Sequence, residues 1–139
     1  MSQTHLAQQG KDLWVKGFSS APSGAVPCTM TRVIDGDTID ALVRLHPVVF
    51  GMQCACRLRL LGIDTPETRT RDLEEKKRGL AAKLRLMNIL ASADECRALF
   101  AKKGKYGRYL VTLFVAGTEG WVNVNHTLVK EGHAVQRSY

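Results

Sequence analysis

From residue 28 onward, apolar and polar positions alternate in short runs broken by glycine, aspartate and proline. Residues 28–34 read as a first strand, closed by the turn signal Asp35-Gly36-Asp37. Residues 38–45 read as a second strand, with Ile39, Ala41, Val43 and Leu45 on one face and Asp40 and Arg44 on the other. His46-Pro47 breaks it, and Gly51 marks the return of a long hairpin. Residues 54–63 read as a third strand that sets Cys56, Leu58 and Leu60 against Arg57 and Arg59. Asp64-Thr65-Pro66-Glu67 ends it, because proline has no N–H to give a ladder.

Beyond that loop the period changes. Leu80, Leu84, Met87 and Ala91 recur at three- and four-residue spacing, which predicts a helix over 73–91 with those residues as its buried stripe. Asp72 is placed to cap it, with Glu75 completing an approximate capping box. Residues 95–101 and 109–116 read as two strands joined by a glycine-bearing turn, followed by a second turn at 116–120. A short helix over 124–131 ends at Gly132, and 133–135 is extended. Five strands with a helix between the third and fourth, plus a short C-terminal helix, is the order of an α+β, mainly β, five-stranded OB-type barrel. Residues 28–139 are therefore expected to be one domain. Residues 1–27, polar and broken by glycine and proline, are expected to be an extension, with Leu13, Trp14, Val15 and Phe18 as its anchoring patch.

Composition narrows the class. The chain has 139 residues, 45% of them hydrophobic, enough for one core without staples. No apolar run approaches the ~20 residues of a membrane span. The stretch MSQTHLAQQGKDLWVKG lacks the apolar segment of an export signal, which favours a cytoplasmic location and no membrane partner. Cys28, Cys54, Cys56 and Cys96 form no CxxC and no zinc spacing, and read as small buried hydrophobes. The formal charge of +7 points towards a polyanionic partner. Its cations crowd three places: Arg57 and Arg59; Arg69 to Arg78; and Lys102, Lys103, Lys105 and Arg108.

Four runs carry chemistry: VIDGDT at 33–38, RLLGID at 59–64, TPET at 65–68 and KYGR at 105–108. Asp37 and Asp64 are carboxylates at strand ends. With a backbone carbonyl and waters they suit a hard cation such as Ca²⁺. Glu67, three residues past Asp64, is placed to act as a general base. Arg59 and Arg108 carry guanidinium forks that match the nonbridging oxygens of a phosphate. Each run alone is also an ordinary turn or loop; together they are the parts for phosphodiester hydrolysis.

With these motifs in this order, the chain resembles the staphylococcal nuclease-like (thermonuclease) domain family over residues 28–139. The resemblance implies a Ca²⁺-dependent endonuclease of DNA and RNA that leaves 3′-phosphate ends, with other divalent cations left open. It places Asp37, Asp64 and the carbonyl of Thr65 at the metal, Glu67 as the general base, and Arg59 and Arg108 on the phosphate. Lys105 and Tyr106 fall on positions flanking the nucleotide's phosphate, Tyr139 near a tyrosine that packs on the nucleotide, and Asp35 on an outer-shell aspartate. The competing reading is a noncatalytic nucleic-acid or protein-binding module on the same barrel. Such a module is expected to lose Glu67, Arg59 or an aspartate, and all are present.

Overall fold

A computed structural model describes residues 20–45, 51–118 and 120–138. Most of the expected N-terminal extension, the tip of the 46–53 hairpin and Tyr139 lie outside the described residues. The strands are β1 (Val26–Asp35), β2 (Thr38–Arg44), β3 (Gln53–Leu60), β4 (Ile63–Asp64), β5 (Glu95–Lys103), β6 (Arg108–Gly117), β7 (Gly120–Asn123) and β8 (Val135–Gln136). Helix α1 is Leu73–Ser92 and α2 is Val124–Lys130.

Strands β1, β2 and β3 form an antiparallel meander, and β5 pairs with β1 on one side and with β6 on the other. The sheet closes where β3 meets β6 in parallel, with Arg57 opposite Arg108 and Leu60 opposite Val111. The result is the expected closed five-stranded barrel with two helices, mostly β. Ile39, Leu58, Leu60, Val111 and Leu113 fill its interior and are fully buried. Leu86 of α1 and Leu128 of α2 seal its ends in the same cluster. Among the described residues no helix is long and apolar enough to cross a membrane.

Several local expectations need correction. The 54–63 strand is two strands, because Gly62 turns the chain at φ 79° and sends Ile63–Asp64 off to pair with β8. β7 is a strand where only a turn and a helix start were expected; its four residues are too few to show a period. The buried stripe of α1 is also different. Leu80, Leu84 and Met87 are 48%, 57% and 42% exposed, and Ala91 is exposed as well. The face turned inward holds Gly79, Ala82 and Leu86, with Ile89 and Leu90 half-buried beyond them. Small residues win because the helix lies almost against backbone. A Cβ on Gly79 would stand 2.6 Å from the Glu67 carbonyl oxygen, and one on Gly36 would stand 2.7 Å from the Ala82 Cβ.

Asp72 does cap α1, its carboxylate accepting from the N–H groups of Glu74 (3.0 Å) and Glu75 (3.2 Å). Glu75 does not complete a capping box; its carboxylate accepts instead from the Glu67 N–H at 3.2 Å. Asn123 caps α2 by accepting from the His126 N–H at 3.1 Å. Burial holds the neutral form of His126, whose pKa lies below the ordinary histidine value.

The helices are strapped together by Arg85 and Glu131 through two contacts of 2.6 and 2.9 Å. The Arg85 guanidinium holds the Glu131 carboxyl below its ordinary value of 4.5. A depressed folded pKa gives stability that is present above the unfolded value and fades as pH falls through the folded one. Both side chains are more than a third exposed, so solvent screens the pair. Glu131→Gln is therefore expected to cost less than ~1 kcal/mol at neutral pH. The difference from the parent should vanish in acid, as read by urea unfolding at several pH values.

Candidate active site

The site grows from two turns. Asp35-Gly36-Asp37 joins β1 to β2 and ends with Asp37 only 7% exposed. The Asp37 carboxylate accepts from the Thr38 hydroxyl at 2.9 Å and from the Thr65 N–H at 3.0 Å. Its own carbonyl accepts from the Leu60 N–H at 2.8 Å, which ties this turn to the end of β3. The second turn, at Leu61-Gly62, carries β4 and Asp64.

Arg59 links the two. It is 6% exposed, on the β3 face opposite Leu58 and Leu60, and both faces of the strand are covered here. One guanidinium nitrogen donates to the carbonyls of Leu60 and Ile63, both at 2.9 Å. The other donates to Asp64 Oδ1 at 3.0 Å and stands 3.4 Å from Asp37 Oδ2. Two carbonyls hold the fork in place, and two carboxylates share its outward nitrogen. Two oxygen-bearing side chains 27 positions apart in sequence thus meet on one cation.

Thr65 sits beside them. Its hydroxyl oxygen is buried without a hydrogen-bond partner, in the residue whose N–H donates to Asp37 and which follows Asp64. Such an orphaned buried oxygen next to two carboxylates fits a hard divalent cation. Among the described residues, no three His, Cys, Asp or Glu side chains converge. The donor set is thus an open one of two carboxylates with threonine oxygens, not a closed cage.

Glu67 follows on the same loop and is exposed; its backbone N–H is tethered to Glu75. The loop is held again by Thr68, whose hydroxyl donates to Asp35 Oδ1 at 2.5 Å. Helix α1 presses on it through Gly79, where a Cβ would also lie 2.7 Å from the Pro66 carbonyl oxygen. Gly79→Ala is expected to push the 66–67 segment outward. It should lower stability by ~1–3 kcal/mol, checked by denaturant unfolding, and move Glu67 with it.

KYGR forms the tip between β5 and β6. Tyr106 takes a left-handed backbone (φ 61°, ψ 31°) and is 87% exposed, with its ring 5.5 Å from the Arg108 guanidinium carbon. The Nε of Arg108 donates to the Lys105 carbonyl at 3.3 Å. A cavity of about 600 Å³ runs from this tip to the end of β3, lined by Arg59, Lys102, Lys103, Lys105, Arg108 and Arg137 among others, and by no acidic residue. Two of these cations bind Asp64: Arg59 at 3.0 Å and Arg137 at 3.5 Å.

The structure thus gathers Asp37, Asp64, Thr65 and Arg59 in direct contact, and sets Lys105, Tyr106 and Arg108 along the cavity that Arg59 opens into. Glu67 lies on the adjoining loop, three residues from Asp64, and Tyr139 lies outside the described residues. Two contributors carry no signal in the local sequence. Arg137 reaches the site only because β8 pairs with β4 and its N–H donates to the Gly62 carbonyl at 2.8 Å. Asn125 is wholly buried and grips the Leu61 carbonyl at 3.0 Å.

Residues 57–139 match the sequence model of a family described as staphylococcal nuclease homologue. The protein ParB of Escherichia coli is 33% identical over 110 residues, covering 76% of this chain and 54% of that protein. Uncharacterized protein MJ1439 of Methanocaldococcus jannaschii is 30% identical over 127 residues, covering 76% of this chain and 56% of that protein. The chain spans about half the length of these curated relatives.

Proposed function

The chain belongs to the staphylococcal nuclease homologue family, and on that premise we propose that it is a Ca²⁺-dependent endonuclease that hydrolyses phosphodiester bonds of DNA and RNA. The observation that carries this reading is Arg59, a buried fork shared by Asp37 and Asp64 that also lines a cavity whose charged lining residues are all basic. A polyanion is the ligand such a cavity attracts, and a planar fork is what a phosphate oxygen pair accepts.

Asp37, Asp64 and the oxygens of Thr65 would hold the cation. When bound, the ion supplies positive charge against the phosphoryl oxygens. Glu67 takes the proton of the attacking water as its oxygen closes on phosphorus. Arg59 and Arg108 donate to the nonbridging oxygens, whose charge grows as the fifth bond forms, so their effect is larger in the transition state than in the bound substrate. Lys105 and Tyr106, which line the cavity, flank the phosphate. The 5′ oxygen leaves, and the phosphate stays on the 3′ side.

The test is incubation of the purified chain with end-labelled single-stranded DNA and RNA, with Ca²⁺, with Mg²⁺ and with chelator, followed by end-group identification. Cleavage that needs the cation and leaves 3′-phosphates is the expected result. Binding without turnover under every cation would return the chain to the noncatalytic class. Glu67→Gln should keep substrate affinity and lower turnover by ~10²–10⁴-fold; an unchanged rate removes it as the base. Affinity should also fall steeply with added salt through counterion release.

A further inference from the structure

The barrel has a weak seam on the side away from the basic cavity. β5 pairs with β6 along most of its length, but with β1 at only Val26↔Ala98 and Pro27↔Arg97. Extending that register by one position sets Cys28 opposite Cys96. Residues directly opposite on antiparallel strands have Cα atoms about 4.5–5.5 Å apart, inside the span a disulfide bridges. The side chains agree: both cysteines are free, and the Cys28 thiol donates to the Cys96 sulfur at 3.5 Å.

The geometry points to the Cys28–Cys96 pair as an oxidisable dithiol that a hydroperoxide converts into a disulfide across the β1–β5 seam. An open cleft of about 560 Å³ is lined by both cysteines, beside Arg44, Gln53 and Glu95, and is the route by which a small oxidant would reach the pair, Cys28 being buried and Cys96 half-buried. The chemistry closes without a further reagent. The Cys28 sulfur, as thiolate, attacks one oxygen of hydrogen peroxide; the O–O bond breaks, and the departing hydroxide takes up the proton Cys28 released, leaving a sulfenic acid and one molecule of water. The Cys96 sulfur then attacks the Cys28 sulfur, the S–O bond breaks, and hydroxide leaves with the Cys96 proton as a second water. Two thiols give up two electrons to one hydroperoxide. Once Cys28 loses its proton, the Cys96 S–H can donate to it in turn, which holds Cys28 below the ordinary thiol range. The same contact, with burial, pushes Cys96 up. One sulfur is thus suited to attack and the other to resolve.

The second cysteine pair does not compete. Cys54 and Cys56 bring their sulfurs to 3.3 Å, but they lie on one strand, in register with Val43 and Ala41 of β2. Two residues along an extended strand span nearly 7 Å between Cα atoms, at the limit of a disulfide's reach. Burial also pushes the Cys56 thiol up to about 11.

The experiment treats the full chain with stoichiometric hydrogen peroxide, blocks residual thiols by alkylation and maps tryptic peptides without reductant. The expected product joins the Cys28 peptide to the Cys96 peptide, lighter by two hydrogens, with Cys54 and Cys56 still alkylated. The bond should raise Tm by ~5 °C or more, reversed by a thiol reductant. Cys96→Ser should abolish both effects. The Cys54→Ser/Cys56→Ser double variant keeps the pair and should retain the linked peptide even if single changes at the seam unfold the chain. Full alkylation of Cys28 and Cys96 after peroxide, a Cys54–Cys56 bond in their place, or loss of the linked peptide in the double variant each overturns the assignment.

Discussion

Asn125→Ala is expected to destabilise the fold by ~2–5 kcal/mol. The Asn125 amide nitrogen donates to the carbonyls of Leu61 and Val111 at 3.0 and 3.1 Å, and its oxygen accepts from the Leu113 N–H at 3.0 Å. One side chain of α2 therefore satisfies three backbone groups, two on β6 and one on the turn that delivers Asp64. Alanine removes all three bonds; the Val111 carbonyl keeps the Leu61 N–H at 2.7 Å, while the Leu61 carbonyl and the Leu113 N–H lose the amide, at roughly 1–3 kcal/mol for each orphaned group. Asn125→Asp should be little better, since a carboxylate cannot donate to two carbonyls. Equilibrium unfolding in urea checks both. A loss below ~1 kcal/mol would mean that water replaces the amide and that the turn does not depend on it.

Arg59→Lys is expected to lower kcat/KM on nucleic acid by ~10²–10³-fold. An ammonium has no fixed plane. It cannot donate to the Leu60 and Ile63 carbonyls while presenting a second nitrogen to the space between Asp37 and Asp64. Arg59→Ala goes further, because it strands the buried Asp37 carboxylate without its counter-charge and should cost ~3–5 kcal/mol of stability. Measuring turnover and unfolding on both variants separates the two roles. Lysine should preserve most of the fold and lose the rate; a lysine variant at parental rate would reduce Arg59 to a structural cation.

Much of the site was legible because its residues sit in turns with local signatures. Asp-Gly-Asp between two alternating runs and Asp-Thr-Pro-Glu after a third announce themselves by backbone chemistry. The barrel followed from the order of those runs. The α1 stripe was not legible, because the sequence offers two faces at helical spacing and size favours the wrong one. Leu80, Leu84 and Met87 outweigh Gly79 and Ala82 on any hydrophobicity count, yet only the small face fits against the 66–67 backbone. Burial of Arg59 was hidden for a related reason. Alternation gave its face, but not that a loop folds back over that face. Arg137 and Asn125 meet partners more than sixty positions away, so no neighbouring residue hints at them.

The parallel contact of β3 with β6 closes the barrel between residues roughly fifty positions apart. Everything before it, the β1–β2–β3 meander, and everything after α1, the β5–β6 hairpin, can zip from local contacts. The closing pair cannot, since its partners must first lose the freedom of the intervening chain. On a ribosome the meander would emerge with an open strand edge and wait for residues 108–111 before that edge is covered. Until then one end of that edge carries Arg57, a charged side chain that discourages another copy's strand from docking there first.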